Sequence, residues 1–254
     1  MKIDNPAFDY DSKGQQYSGQ RKTEPAIANY VAQALGDAKT VLNVGAGAGS
    51  YEPDNRFVIA VEPSAVMRSQ RMANGRSPAV NAFGDQLPFD DQAFDAVTAF
   101  VTIHHWPDIQ KGLLELKRVA REKVILMTFD PEALDRFWNA EYFPEVIEVE
   151  RQRYPTLSFL TETLGGNCEV WPIPVPLQCA DGFQEAYYGR PEAFLDENVR
   201  RGQSAWGFIP ADRQEVIVKR LADDLASGEW DRKYGFYRSQ PSFTCALRLV
   251  IWSR

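Results

Sequence analysis

Five short apolar runs, separated by helix-prone segments, constrain the fold of this chain more than any other feature. The runs lie at residues 40–45, 57–62, 79–83, 94–103 and 123–129. Segments such as SAVMRSQRMA and DIQKGLLELKRVAR lie between them and have the composition of helices. Strands that alternate with helices form a parallel sheet covered on both faces. The sequence therefore predicts an α/β fold built on a Rossmann-like, doubly wound sheet.

The alternation of predicted strands and helices ends after Phe129. Helical patterns follow over roughly 131–164 and again in ADRQEVIVKRLADDLASG, and a strand-like run near 168–175 interrupts them. A last strand is predicted at 243–252. With this final strand antiparallel, the sheet is expected to have seven strands and to be mostly parallel.

A chain of 254 residues is long enough for one large α/β domain with a full core. The expected organisation is a single domain over 1–254 with three parts: a cofactor-binding core at 15–130, a helical extension and substrate lid at 131–240, and the final sheet strand at 243–252.

The first helix is predicted at residues 23–36, TEPAIANYVAQALG. Thr23 is placed to cap its start and Gly36 to end it. The apolar residues that share one face at helical spacing are Ile27, Tyr30, Val31, Ala34 and Leu35.

Charge and cysteine content narrow the classes of partner. The formal net charge is −7 and the pI is about 5.0. This acidity disfavours nucleic acid as a partner, because proteins that bind nucleic acid neutralise its phosphates with Lys and Arg. A small-molecule partner is favoured. The three cysteines form no CxxC pair, so neither a disulfide framework nor a thiolate metal site is indicated. Because the sequence shows no signal-peptide h-region and no apolar run of membrane-spanning length, we expect a cytoplasmic protein.

The glycine-rich segment VLNVGAGAGS, residues 41–50, follows the first predicted strand, where the ligand of a doubly wound sheet is contacted. Without a ligand, the same segment would be only a tight strand-to-helix turn. The nicotinamide fingerprint G-x-G-x-x-G is not matched, because Ser50 stands at its third glycine. The Tyr-x-x-x-Lys pair and the G-x-x-x-x-G-K-[ST] phosphate loop are also absent from the sequence, which disfavours hydride and phosphoryl transfer.

Two acids follow the next predicted strands. Glu62 ends the second strand, where a carboxylate can accept hydrogen bonds from both hydroxyls of a ribose. Asp85 follows the third strand, from which it could accept a hydrogen bond from an adenine amino group. A surface acid and a structural turn residue are the alternatives for Glu62 and Asp85.

Four motifs together resemble a known family. VLNVGAGAGSYEP, AVEPS, GDQLPFDDQAFDAV and FVTIHHW occur in the order and spacing of class I S-adenosylmethionine-dependent methyltransferases. They most resemble the small-molecule branch, methyltransferase type 11, which is related to the ubiquinone and menaquinone biosynthesis enzymes. The motifs cover roughly residues 15–130.

The resemblance implies a set of cofactor-binding residues. Asn43 stands where many relatives carry an acid, so a charged contact to the cofactor's amino group is not expected. Arg21 is implied to pair with the cofactor's carboxylate, with a solvated surface residue as the alternative. The full set implied to contact the cofactor is Tyr17, Arg21, Asn43, Gly45, Gly47, Gly49, Glu62, Pro63, Asp85, Gln86, Phe100, Val101 and Thr102.

The only two histidines, His104 and His105, are adjacent and follow the fourth predicted strand. Either could act as a general base for a hydroxyl or amine acceptor. Packing or ordering of the cofactor is the alternative role, since adjacent histidines recur here in the resembling family among enzymes with unlike acceptors. No acid or cysteine spacing accompanies the histidines, so no metal site is predicted.

The acceptor is expected to meet the 131–240 segment. Aromatic residues there could wall a planar molecule, or they could form the core of the segment itself. The candidate substrate residues are Trp106, Asp181, Phe183, Tyr187, Tyr188 and Trp206, with Phe208 in the same aromatic group.

The sequence thus predicts an enzyme that moves a methyl group from S-adenosylmethionine to an O, N or C atom of a small molecule and releases S-adenosylhomocysteine. A non-catalytic S-adenosylmethionine-binding regulatory protein is the first alternative. An NAD-dependent oxidoreductase is the second. The sequence carries no information on the oligomeric state.

Overall fold

The computed structural model describes residues 21–254, and Tyr17 lies outside them. The strands in this part of the chain are β1 (Thr40–Val44), β2 (Phe57–Val61), β3 (Ala79–Val80), β4 (Phe94–Phe100), β5 (Ala120–Phe129), β6 (Asn167–Pro172), β7 (Val175–Pro176), β8 (Ser242–Phe243) and β9 (Leu247–Ser253). The α-helices are α1 (Pro25–Leu35), α2 (Ala65–Ala73), α3 (Ile109–Val119), α4 (Asn139–Tyr142), α5 (Pro144–Arg153), α6 (Leu157–Leu164), α7 (Glu197–Arg201), α8 (Ala211–Ser227) and α9 (Glu229–Tyr234).

Seven of these described strands form one sheet in the order β3-β2-β1-β4-β5-β9-β6. Strands β1 to β5 pair in parallel, and β9 runs antiparallel to both β5 and β6. The short β7 and β8 form a separate antiparallel pair. The seven-stranded, mostly parallel sheet with an antiparallel final strand is confirmed.

Alternating side chains of the central strands enter two separate cores. Val41 and Ile125 join the core on one face, whereas Leu42 and Leu126 join the core on the other. Helix α1 and most of the 131–240 segment cover the first face, whereas α3 and α6, a helix of that same segment, cover the second. Because both faces are covered, the central strands are apolar without alternation, which is why their sequences are continuous hydrophobic runs.

The start of α1 differs from the prediction. Glu24, not Thr23, is the N-cap, and its Oε1 accepts a hydrogen bond from the Ala26 N–H at 3.1 Å. Thr23 instead accepts from the Tyr51 N–H through Oγ1 at 3.0 Å. Pro25 at the first helical position favours a start one residue after Glu24.

Three strand boundaries also differ from those predicted. The fourth strand ends at Phe100 rather than residue 103, because Val101 turns the chain with φ of 51° and residues 103–105 form a 3-10 turn. The third strand is only two residues long. The fifth begins earlier, at Ala120, directly after α3.

The predicted final strand at 243–252 is broken in the structure. Phe243 pairs with Val175 in the small sheet, and β9 begins only at Leu247. The backbone N–H groups of residues 245–247 donate to the carboxylate of Glu185, at 2.9, 3.0 and 3.1 Å. The buried Glu185 carboxylate therefore supplies the hydrogen-bond acceptors that a neighbouring strand would otherwise supply at this break.

The strand predicted near 168–175 is divided as well. Its first part is β6 at the edge of the main sheet, and Val175 belongs to β7. No helix among residues 21–254 is long and apolar enough to cross a membrane.

Candidate cofactor and acceptor site

The main cavity lies at the carboxyl ends of β1, β2 and β4 and has a volume of about 320 Å³. This is the edge of a doubly wound sheet at which ligands bind. Nine of the residues implied to contact the cofactor line the cavity: Arg21, Asn43, Gly45, Gly47, Glu62, Pro63, Phe100, Val101 and Thr102. The sheet thus brings together residues that are up to 81 positions apart in the sequence (21 to 102).

The glycine turn after β1 allows the main chain to pass close to this cavity. Gly45 and Gly47 have φ of 67° and 51°, a left-handed conformation that residues with a side chain adopt at a cost. A Cβ atom on Gly45 would lie 2.1 Å from Oγ1 of Thr102, a clash that requires a shift. Gly49 is not among the lining residues, since it packs against the side chains of Arg71 and Arg76.

Glu62 connects the glycine turn to the end of β2. Its Oε2 accepts from the Gly47 N–H at 2.8 Å, and its Oε1 accepts from the Ser64 N–H at 2.9 Å. The side chain is 7% exposed and lines the cavity. These two backbone donors fix the orientation of the carboxylate, and each of its oxygens has two lone pairs.

Asn43 is part of a buried polar cluster that the sequence did not reveal. Its Nδ2 donates to Oε1 of Glu52 at 2.9 Å, and its Oδ1 accepts from the Thr98 hydroxyl at 3.3 Å. Glu52 also forms a bidentate ion pair with Arg71, at 2.6 and 2.8 Å. An acid therefore lies one side chain away from the position where relatives carry one, and its charge is balanced by a buried arginine.

The two residues implied to face the adenine lie outside the lining of the cavity. Asp85 and Gln86 do not line the cavity, whereas the preceding Phe83 and Gly84 do. Asp85 is 3.9 Å from the ammonium of Lys111. The turn after β3 therefore presents its earlier residues to the cavity, because this strand is shorter than predicted.

Trp106 lies in the wall of the main cavity rather than among the residues of the 131–240 segment. Its ring fills the space beside two glycines: a Cβ on Gly84 would lie 2.9 Å from the ring, and one on Gly112 would lie 2.3 Å from it. The two glycines thus make room for the indole next to Phe83 and Pro107.

Arg21 and Asp181 form an ion pair between the start of the described chain and the 131–240 segment. Nε of Arg21 donates to Oδ1 of Asp181 at 2.6 Å, and the hydroxyl of Tyr51 donates to Oδ2 at 2.9 Å. Asp181 is 2% exposed. Burial, assisted by the charge of Asp181, raises the pKa of Tyr51 well above its ordinary value, so this hydroxyl keeps its proton. Arg21 was implied to bind the cofactor's carboxylate, but the structure gives it a protein carboxylate as partner.

The two histidines differ in their surroundings. His105 lines the main cavity, whereas His104 is buried and stacks between His105 and Tyr154, with ring centroids 3.8 and 4.2 Å away. Burial lowers the pKa of both imidazoles well below the ordinary value, and the positive charge of Arg153 lowers both further. Both rings are therefore neutral at neutral pH.

Arg153 determines the tautomer of His105. Its Nη2 lies 3.1 Å from Nδ1 of His105, and its Nη1 donates to Oγ of Ser204 at 2.9 Å. A guanidinium can only donate hydrogen bonds, so Nδ1 of the neutral ring is the acceptor and Nε2 carries the hydrogen. With this lone pair engaged and a lowered pKa, His105 is a poor general base.

A second, smaller cavity of about 40 Å³ adjoins the first. Arg21 and Val101 line both cavities. His104 and Phe183 line the second one. Its remaining walls come largely from the 131–240 segment, so part of this segment lies beside the main cavity.

Three predicted substrate aromatics reach neither cavity. Tyr187, Tyr188 and Trp206 are buried in the core of the 131–240 segment. Trp206 is 1% exposed, and its ring centroid lies 4.9 Å from that of Phe143. These large rings pack against one another and form the core of the segment, which is the second of the two roles that the sequence allowed for them. Phe208 is partly exposed and does not line either cavity.

Within the part of the chain that the structure describes, no group of three His, Cys, Asp or Glu side chains could hold a metal ion.

Comparison with known proteins agrees with this geometry. Residues 42–128 match the model of the Methyltransferase domain family, Methyltransf_11. The chain is 29% identical over 202 residues to the uncharacterized methyltransferase YcgJ of Bacillus subtilis (strain 168), which covers 71% of this chain and 70% of the relative.

Two solved structures share the fold. A protein of Anabaena variabilis, described as a methyltransferase from an antibiotic biosynthesis pathway, superposes with a TM-score of 0.82 at 28% identity, covering 91% of this chain and 98% of its own. An S-adenosylmethionine-dependent methyltransferase of Thermotoga maritima has a TM-score of 0.57 at 14% identity, covering 96% and 97%.

The sheet order, the cavity and these matches define the class: the core of the chain is a class I S-adenosylmethionine-dependent methyltransferase domain. Within that class, residues 42–128 match the type 11 family model.

Proposed function

We propose that the protein is an enzyme that transfers the methyl group of S-adenosylmethionine to an O, N or C atom of a small molecule. The observation that carries this proposal is the position of Glu62. Backbone N–H groups of Gly47 and Ser64 hold its carboxylate at the cavity wall. A carboxylate fixed there beside a bare glycine turn fits a ribose with two adjacent hydroxyls.

The other lining residues suit the rest of the same ligand. Gly45 has no side chain where a Cβ would meet Thr102, so the backbone itself forms the wall. Phe83, Gly84 and Trp106 add apolar lining to the same cavity. Bound S-adenosylmethionine supplies an electrophilic methyl group on a sulfonium.

Much of the catalysis in this site is expected to come from orientation and from exclusion of water. Arg21, which forms an ion pair with Asp181, lines both cavities. His105, held as an Nε2–H tautomer by Arg153, forms part of the wall of the main cavity. General-base catalysis by a histidine stays a prediction, and the engaged Nδ1 of His105 argues against it.

Support for a small-molecule acceptor comes from the Anabaena variabilis protein, since that relative is described as part of an antibiotic biosynthesis pathway. The acidity of this chain agrees, because nucleic acid would be repelled.

The test is calorimetric titration of ligand-free protein with S-adenosylmethionine, S-adenosylhomocysteine and NAD in parallel. We expect micromolar binding of the two sulfur compounds and none of NAD. Glu62→Ala should weaken the binding of S-adenosylhomocysteine by about 1.5 to 3 kcal/mol, about 10- to 150-fold, because charge-assisted hydrogen bonds are lost. Glu122→Ala, at an exposed acid of β5, is the matched control.

Unchanged affinity in the Glu62→Ala protein would overturn the ribose assignment, and preferential binding of NAD would favour the oxidoreductase alternative. Transfer of a tritiated methyl group from S-adenosylmethionine to a small-molecule extract separates the enzyme from a non-catalytic binding protein. Binding without any labelled product would support the latter.

A further inference from the structure

The second cavity combines apolar rings with buried polar atoms. Phe129, Phe137, Tyr154 and Phe183 contribute aromatic walls. The cavity meets the main one at Val101, whose φ of 51° is rare for a β-branched residue and strained. Strain of this kind is concentrated at functional sites, so we expect the methyl group to be transferred at the junction of the two cavities.

Gln184 lines this cavity with an unsatisfied hydrogen-bond donor, Nε2. Three other lining residues present acceptors that no donor among the described residues satisfies: Oε2 of Glu150, Oδ1 of Asn139 and Oε1 of Gln203. The three residues are at most 9% exposed. The amide of Gln203 cannot be reversed without loss, because its Nε2 donates to the Val199 carbonyl at 3.2 Å. Leaving such atoms unpaired is costly, so a ligand that donates hydrogen bonds would be stabilised here.

The charges around this cavity are already paired. The Glu150 carboxylate lies 3.9 Å from Nη1 of Arg153, and Arg21 pairs with Asp181 at 2.6 Å. Burial raises the pKa of Glu150, and the charge of Arg153 opposes this shift. The cavity therefore has no excess negative charge to bind an ammonium group, and the unpaired acceptors favour a neutral donor.

We propose that the second cavity binds one edge of the methyl acceptor, and that the acceptor is a neutral, flat ring carrying hydroxyl or N–H donors. A volume of about 40 Å³ admits the donor-bearing edge, while the ring extends past Val101 into the main cavity. This inference rests on the proposed function, since it names the acceptor of the same reaction.

The experiment uses protein saturated with S-adenosylhomocysteine and two matched pairs of probes. Catechol is compared with 1,2-dimethoxybenzene, and indole with 1-methylindole, so each pair differs by the loss of its donors. The two pairs also separate hydroxyl from N–H recognition. Binding is measured by calorimetry for the wild type, Gln203→Leu, Asn139→Leu and the control Gln214→Leu. Gln214 donates to the carbonyls of Trp206 and Ile209 outside the cavity.

We expect at least one donor-bearing probe to bind at least tenfold more tightly than its methylated partner. Gln203→Leu and Asn139→Leu should each remove most of this preference, whereas Gln214→Leu should keep it. Affinity for S-adenosylhomocysteine should be unchanged in all three variants, which shows that they are folded.

Equal binding of methylated and unmethylated probes would overturn the inference, because water would then be the partner that satisfies the unpaired atoms. The inference would also be overturned if no probe bound to protein that binds S-adenosylhomocysteine. If a variant does not fold, the comparison of each probe with its methylated partner on the wild-type protein still tests the inference. Loss of S-adenosylhomocysteine binding alone would instead count against the proposed function.

Discussion

Replacement of Glu185 by Gln should change how the stability of this fold depends on pH. Glu185 is 2% exposed and bridges the break before β9 by accepting three backbone N–H groups. Burial raises its pKa from the ordinary 4.5 to about 7, although the three donors oppose the shift. Two physical effects of opposite sign therefore compete at one carboxyl group.

The sign of the effect follows from proton linkage. A carboxyl group whose pKa is higher in the folded protein binds its proton more tightly there than in the unfolded chain. Its contribution to the free energy of unfolding is present at acid pH and is lost as pH rises from about 4.5 through about 7. For these two values, the loss between pH 5.5 and 8.5 amounts to about 2 kcal/mol.

The assay is urea unfolding followed by tryptophan fluorescence, which the six tryptophans make sensitive. The wild type and Glu185→Gln are compared at pH 5.5, 7 and 8.5, above the pI of about 5.0. The free energy of unfolding of the wild type relative to the variant should fall by about 2 kcal/mol over this range. Contributions from His104 and His105 cancel in this difference. A constant or rising difference would show that the backbone donors outweigh burial, and would refute the reasoning.

Three further substitutions test the cavity and the core. Gly45→Ala should weaken S-adenosylhomocysteine binding at least tenfold in calorimetry, whereas Gly75→Ala, also at positive φ but with open space around it, should not. Arg71→Met leaves the buried Glu52 carboxylate unpaired and should cost about 3 to 5 kcal/mol in urea unfolding, and a loss below about 1 kcal/mol would contradict the buried pair. Trp206→Ala should cost about 3 to 5 kcal/mol of stability without changing the affinity for S-adenosylhomocysteine, and a selective loss of ligand binding would contradict its place in the core.

The sheet could be predicted because its signals are local. Each buried parallel strand is a continuous apolar run, and the residues that follow β1, β2 and β4 reach the same edge whatever the loops between them do. Gly45, Glu62 and Thr102 therefore line the cavity as expected. Asp85 does not, since its position depends on where a two-residue strand ends, and strand ends are poorly encoded.

The remaining features depend on partners distant in sequence. The Arg21–Asp181 pair joins positions 160 residues apart, and no local pattern could assign Arg21 a protein carboxylate instead of a ligand. The break before β9 has the same origin, since it is Glu185 that satisfies the backbone there. Trp206 was ambiguous for a different reason: an aromatic ring is equally suited to a core and to a ligand wall, and only its burial decides.

The Arg21–Asp181 ion pair has a thermodynamic consequence for the two ligands. Arg21 contributes to the walls of both cavities, so an occupant of either one acts on the same guanidinium. If one ligand orders Arg21, the second ligand binds to a protein that has already lost this conformational freedom. The two affinities are then coupled, and each ligand must change the affinity of the other by the same factor. The size of that factor gives the coupling free energy between the two cavities.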